Sequence, residues 1–163
     1  MAKQQKPWKQ YTKGGWPAWV KTLLLKWWAA GAIMFFVGWG ITISMADQLD
    51  MAILMGLASG IFTDLIINTI IELFEREKNE CDHLIMWRRN KLSSLLLNIL
   101  HGIIVSLLVA YSYQFINIAL ISVLKADPDK VIFPVEPIFF GLMYLGYDLL
   151  IITIKQKLFK KHK

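Results

Sequence analysis

Two aspartates and a histidine lie inside apolar stretches of this sequence that are long enough to cross a membrane: Asp64, His101 and Asp148. A charged aspartate at the bilayer centre costs ~2.5 to 3.5 kcal/mol on insertion scales, so such a residue faces protein or water and marks a functional site by default. Histidine titrates near neutral pH, and a desolvated carboxyl group can titrate close to it. The three residue types can therefore bind and release protons.

The second apolar stretch carries small or polar residues at every fourth position, which places them along one oblique ridge of a helix. Glycines four residues apart allow another helix to approach closely. We expect this ridge to pack tightly within the chain, with a contact to a second copy of the chain as the alternative. Its members are Gly56, Gly60, Asp64, Asn68, Glu72 and Arg76.

Polar residues of three apolar stretches reach similar depths when they are counted inward from the expected ends of each stretch. Asp64 is expected to lie level with His101 and Tyr144, and three further polar residues lie about one turn nearer the same end. The alternative is that these groups only bond neighbouring helices, with Asn98, His101 and Asp148 satisfying one another at ~0.6 kcal/mol per contact. The predicted intramembrane polar site consists of Asp64, Asn68, Asn98, His101, Tyr144 and Asp148.

The elements that must position these residues are transmembrane helices. The chain has 163 residues and is 56% hydrophobic, with a mean hydropathy of +0.46, whereas soluble domains are ~45 to 50% apolar. Apolar blocks near the ~20 residues that span a bilayer predict an all-α, polytopic integral membrane protein. The four expected spans are about 27–45, 51–74, 92–112 and 138–154, which together form one transmembrane domain over 27–154.

Basic segments flank this domain, and the N-terminal one contains tryptophans. Residues 1–26 are predicted to form a cytoplasmic and interfacial segment that ends in an amphipathic helix, with Lys21 and Lys26 extending to lipid phosphates. Residues 155–163 form a basic cytoplasmic tail.

The third apolar block, 92–124, is longer than a bilayer is thick, since 33 helical residues extend ~50 Å. Either the helix tilts steeply, or it ends near residues 111–114. We favour the second arrangement, in which residues 115–124 lie along the outer surface as an interfacial helix.

Charge distribution predicts the orientation. Of the 18 Lys and Arg residues, all but two, Lys125 and Lys130, lie before the first expected span, between the second and third, or after the fourth. Positive charge is enriched in cytoplasmic loops. Both termini are therefore expected in the cytoplasm, and the chain is expected in a plasma membrane, most simply a bacterial cytoplasmic membrane.

Several function classes receive no support from the sequence. There is no phosphate-binding GxxxxGK, no HExxH and no GxSxG motif, and a single cysteine, Cys81, excludes an intramolecular disulfide. The basic residues lie beside the spans, which is a membrane-topology pattern and not a nucleic-acid pattern. We therefore expect no enzyme activity, no cofactor, no metal site and no nucleic-acid partner.

Two functional hypotheses remain. Small size and a middle loop with apolar residues between charge clusters (84–87 within 75–91) favour an accessory or scaffold subunit of a larger membrane assembly. That loop could be a coupling helix for a partner, or an amphipathic interfacial loop.

The alternative function is that of a small transporter or lipid-linked substrate translocase that acts as a homo-oligomer, with Asp64, His101 and Asp148 as its proton or ligand site. Expected partners are membrane lipids and either a membrane protein or a second copy.

The orientation can be tested by cysteine labelling in a Cys81→Ser background. A membrane-impermeant maleimide added to intact cells is expected to modify Asp129→Cys and to leave Lys157→Cys unmodified, because the predicted topology places only the first outside. The opposite pattern would contradict the orientation.

Overall fold

The computed structural model describes residues 15–41, 48–89, 92–125 and 137–160, and every regular element in these ranges is helical. The helices are α1 (Ala18–Ile41), α2 (Gln48–Phe62), α3 (Asn68–Phe74), α4 (Leu92–Leu124) and α5 (Pro137–Lys160). A π-helical turn, Thr63–Ile67, joins α2 to α3, and a 3₁₀ turn, Asp82–Leu84, lies in the loop before α4.

Four stretches are long and apolar enough to cross a membrane: Ala18–Val37, Leu49–Phe74, Leu92–Leu124 and Pro137–Leu158. The predicted all-helical fold with four candidate spans is confirmed, which identifies a multi-pass membrane protein. The orientation of the termini stays a prediction. Residues 1–14, 42–45 and 161–163 of the predicted segments lie outside the described residues.

Two predicted helix boundaries differ from the structure. The segment before residue 27 is not a separate interfacial helix, because α1 runs without a break from Ala18. The break expected at residues 111–114 is also missing, and residues 115–124 continue α4. The cause is local in both cases: neither WVKTLLLKWW nor the stretch 103–124 contains the Gly or Pro that would favour a helix end.

Glycines bring the spans together as two tightly packed pairs. An added Cβ at Gly31 of α1 would lie 2.8 Å from the Pro137 carbonyl oxygen, and one at Gly141 of α5 would lie 2.7 Å from the Trp27 carbonyl oxygen. α5 packs mainly against α1, and α4 packs mainly against α2.

The second pair uses the glycine ridge identified in the sequence. An added Cβ at Gly56 would lie 2.7 Å from the Ile103 backbone nitrogen, and one at Gly60 would lie 2.6 Å from the Asn98 carbonyl oxygen. Both glycines face α4 of the same chain, so this ridge is already covered within the protomer.

Two apolar clusters fill the space between the helix pairs. One contains Met34, Met55, Val105, Val109 and Phe140, and the other contains Ala18, Ile67, Ile71, Cys81 and Ile85 beneath the loop. On the second span, Ser59 and Asp64 fall between Met55 of the first cluster and Ile67 of the second, whereas Lys26 and Asn68 lie among residues of the second. The buried polar side chains are therefore surrounded by apolar packing.

Substitution of Gly60 tests the close approach of α2 and α4. Gly60→Ala is expected to destabilise the protein by about 1 to 3 kcal/mol, because its Cβ meets backbone atoms that cannot rotate away. Thermal unfolding in detergent micelles measures the effect. Gly146→Ala is the matched control, since its Cβ has nothing within 4 Å, and unchanged or slightly raised stability is expected there. Equal responses of the two variants would contradict the packing.

Candidate functional site

Three buried ionisable side chains meet between α1, α4 and α5. The Lys26 Nζ lies 2.5 Å from Asp148 Oδ2, and the His101 Nε2 lies 2.7 Å from Asp148 Oδ1. The three residues are only 4 to 8% exposed. An ionised carboxylate only accepts hydrogen bonds. Beside an ionised Asp148, the His101 Nε2 therefore carries a hydrogen and donates a hydrogen bond to the carboxylate. We call Lys26, His101 and Asp148 the charge network.

The prediction that Lys26 extends to lipid phosphates is wrong, because its side chain is buried. Its ammonium group donates to Asp148 and, at 2.6 Å, to the Leu84 carbonyl oxygen. Helical side chains lean toward the helix N-terminus, and Lys26 lies on the face of α1 that carries the buried Ala18, Thr22 and Ala30. Small residues on that face were the sequence signal, since they leave room for one long side chain.

Asp64 has a different set of partners. It is 2% exposed, and its Oδ1 accepts hydrogen bonds from Asn98 Nδ2 at 2.9 Å and from the Ser94 hydroxyl at 3.3 Å. The amide nitrogens of Asn68 and Asn98 both donate to the Trp87 carbonyl oxygen, at 3.0 and 3.1 Å. Asn98 thus bridges Asp64 to the loop.

The π-helical turn places Asp64 on this face. Its signature is the hydrogen bond from the Asn68 backbone N–H to the Thr63 carbonyl, five residues earlier. Because an α-helix has 3.6 residues per turn, side chains four residues apart are rotated slightly past one another around the helix axis. A π-helical turn contains more residues per turn, so it rotates the following side chains back in the opposite direction. Gly60, Asp64 and Asn68 consequently all face α4 or the loop that precedes it. Such turns occur frequently at functional sites.

The depth estimate from sequence misplaced Asp64 relative to His101. Gly60 lies against Ile99, so Asp64, four residues farther along an antiparallel neighbour, lies near residue 95 of α4. The estimate assumed that the second and third spans end in one plane. The contact between Gly60 and Ile99 indicates that α4 begins deeper than α3 ends.

Five of the six predicted residues, together with Lys26, line one small cavity of about 20 Å³, which is room for about one water molecule. Asp64 lies behind Asn98 and is not part of the lining. The Oδ1 atoms of Asn68 and Asn98 are buried acceptors with no hydrogen-bond donor among the described residues. The lining residues from the predicted site are Asn68, Asn98, His101, Tyr144 and Asp148.

The loop over residues 75–89 covers this cavity, with Ile85 and Met86 in its lining. Each span contributes a side chain that donates to a loop carbonyl. Lys26 binds Leu84, Asn68 and Asn98 bind Trp87, and Lys155 binds Met86 at 2.5 Å. Backbone carbonyls give no sequence signal, so these contacts were not predicted.

An ion cluster around the buried Glu75 holds the loop in its fold. Glu75 accepts from the Cys81 backbone N–H at 3.0 Å and from the Arg88 guanidinium, which also binds Asp82. Cys81 is fully buried, and this burial raises the pKa of its thiol, against the opposing effect of the hydrogen bond from Thr22. Leu84 and Ile85 are buried against the bundle, so these apolar loop residues do not face outward toward a partner.

The fold and the site define a four-span membrane protein with an internal charge network beneath a docked loop. The described residues contain no group of three or more His, Cys, Asp or Glu side chains that could hold a metal ion. No protein-family model, no curated protein and no solved structure matches the chain.

A double-mutant cycle tests the Lys26–Asp148 pair. Lys26→Met or Asp148→Asn alone is expected to cost about 3 to 5 kcal/mol, because each leaves a buried charged group without its partner. The double variant should lose much less than the sum, because neither charge then remains. Unfolding in micelles gives the four stabilities, with Thr153→Val on exposed α5 surface as the control. Strictly additive losses would show that the two residues do not interact.

Proposed function

We propose that this chain is a small subunit of a larger membrane assembly and that its charge network binds and releases a proton. The observation that carries the proposal is the position of Asp148. Its two carboxylate oxygens contact Lys26 and His101 beneath a loop that Lys26 also binds. A change in charge at Asp148 is thereby transmitted to the loop.

The transmission follows from the partners of Lys26. A proton added to Asp148 removes the negative charge opposite the Lys26 ammonium group, and a buried cation without a partner costs several kcal/mol. Lys26 then gains by moving toward water, which breaks its bond to the Leu84 carbonyl. His101 supports this role because it supplies a proton-exchanging group in direct contact with the same carboxylate.

Action within an assembly is supported by the size of the cavity. A space of about 20 Å³ admits water or a proton but no larger solute. The glycine ridge packs inside the chain, so a partner would contact the exposed apolar faces of the spans, such as the one with Phe35 and Phe36.

The second candidate remains a small transporter or lipid-linked substrate translocase that acts as a homo-oligomer. A groove of about 550 Å³ favours it, because Asp64 and Asn68 line this groove from the side away from the charge network.

Cys81 reports on the proposed release of the loop. Asp148→Asn mimics the protonated carboxyl group, and it is expected to speed maleimide labelling of Cys81 about tenfold at pH 7. Release of the loop exposes the thiol and removes the burial that raises its pKa, so both changes increase the reactive thiolate. Thr153→Val serves as the control with unchanged labelling. In the wild type, labelling relative to the denatured protein at the same pH should rise only as the pH falls below the ordinary carboxyl range of about 4, because the neighbouring Lys26 ammonium group favours the ionised form of Asp148, and His101→Gln should alter that profile.

Equal protection of Cys81 at every pH and in every variant would overturn the proton-binding proposal. Purification in mild detergent followed by mass spectrometry tests the assembly. A stoichiometric membrane partner is expected, whereas a monodisperse homo-oligomer that moves solute in proteoliposomes would favour the translocase.

A further inference from the structure

A groove of about 550 Å³ lies on the outside of the bundle, where the second span meets the start of α4. Its volume is in the range of small-molecule sites. Glu72 and Arg89 supply opposite charges to its lining, and Leu65 and Leu92 supply apolar surface. The buried Asp64 and Asn68 also line the groove.

Glu72 and Arg89 line the same groove without pairing. None of the ion pairs among the described residues includes either side chain. The neighbouring Arg88 is fully used by Glu75 and Asp82, which leaves Arg89 as the guanidinium that faces the groove. Two unpaired opposite charges in one groove match a ligand that carries both charges.

The depth of the groove matches a lipid headgroup. Glu72 lies two residues before the second candidate span ends at Phe74, and Arg89 lines the same groove beside it. Both charges are therefore near the membrane surface. Leu65 and Leu92 are 44% and 73% exposed beside them, and they provide the apolar surface that glycerol and acyl chains require.

Glu72 supplies the acceptor for a cation. Its side chain is exposed, whereas the Oδ1 of the neighbouring Asn68 is buried and not open to the groove. An ammonium group donates three hydrogen bonds and accepts none. The Glu72 carboxylate can therefore accept from a primary ammonium, whereas a quaternary ammonium has no N–H to donate.

We propose that this groove binds a phospholipid whose headgroup carries a primary amine, such as phosphatidylethanolamine, from the surrounding bilayer. Arg89 binds the phosphate through its planar guanidinium, and Glu72 binds the ammonium. Glu72 and Arg89 contribute no net charge, which disfavours anionic lipids. The site is separate from the proposed proton site, since neither Glu72 nor Arg89 lines the small cavity.

Native mass spectrometry of the delipidated protein tests the proposal with phosphatidylethanolamine, phosphatidylcholine and phosphatidylglycerol of identical acyl chains. About tenfold stronger retention of phosphatidylethanolamine is expected, since one charge-assisted contact corresponds to about that ratio. Soluble phosphoethanolamine should bind much more weakly, because it lacks the acyl chains. Equal retention of the three lipids would overturn the proposal, and equally tight binding of soluble phosphoethanolamine would replace the lipid with a soluble ligand and overturn it as well.

Matched variants assign the two charges. Glu72→Gln is expected to abolish the preference over phosphatidylcholine, and Arg89→Gln is expected to weaken all three lipids. Arg76→Gln and Glu77→Gln, both exposed in the loop and outside the groove lining, should match the wild type. Lipid-free unfolding confirms that each variant is folded. Variants that bind like these controls would refute the assignment, and Cys81 labelling, which reports on the charge network, is not involved in this measurement.

Discussion

The ion pair between Lys26 and Asp148 constrains most of the molecule's interior. Each ion loses hydration that is worth several kcal/mol, and their mutual attraction compensates only when the remaining donors and acceptors are also satisfied. Here the second carboxylate oxygen contacts His101, and the ammonium group also binds the Leu84 carbonyl. The pair therefore requires α4 and the loop as well as the two helices that supply it.

Backbone geometry determines where that pair can lie. Glycines hold α1 against α5 and α2 against α4 at distances that leave no room for side chains between the members of each pair. Long polar side chains must then enter the space between the two pairs, together with the apolar clusters at its ends. A water-sized volume remains around Asn98, His101 and Asp148, so close packing and the polar site are two consequences of one arrangement.

Much of this fold could be predicted from sequence because membrane burial leaves a strong signal. Hydropathy located all four spans, since lipid requires about 20 apolar residues regardless of tertiary structure. Polar residues in those spans were also visible, and all six are buried. The ion pair between Lys26 and Asp148 could not be predicted. Lys26 resembles an interfacial lysine until the small residues on its face of the helix are considered. The loop contacts use backbone carbonyls, and the relative depth of Asp64 depends on where α4 begins, which composition does not encode.

Asn68 connects the small internal cavity with the outer groove. It lines both the small cavity and the outer groove, and its amide shares the Trp87 carbonyl with Asn98. Displacement of the loop would move that carbonyl and shift Asn68 within the lining of the groove. A ligand that fits the groove with Asn68 in its present position would in turn favour the loop position in which Trp87 is bound. Thermodynamic linkage makes such an effect reciprocal, so proton binding that releases the loop and groove binding that requires it would oppose each other.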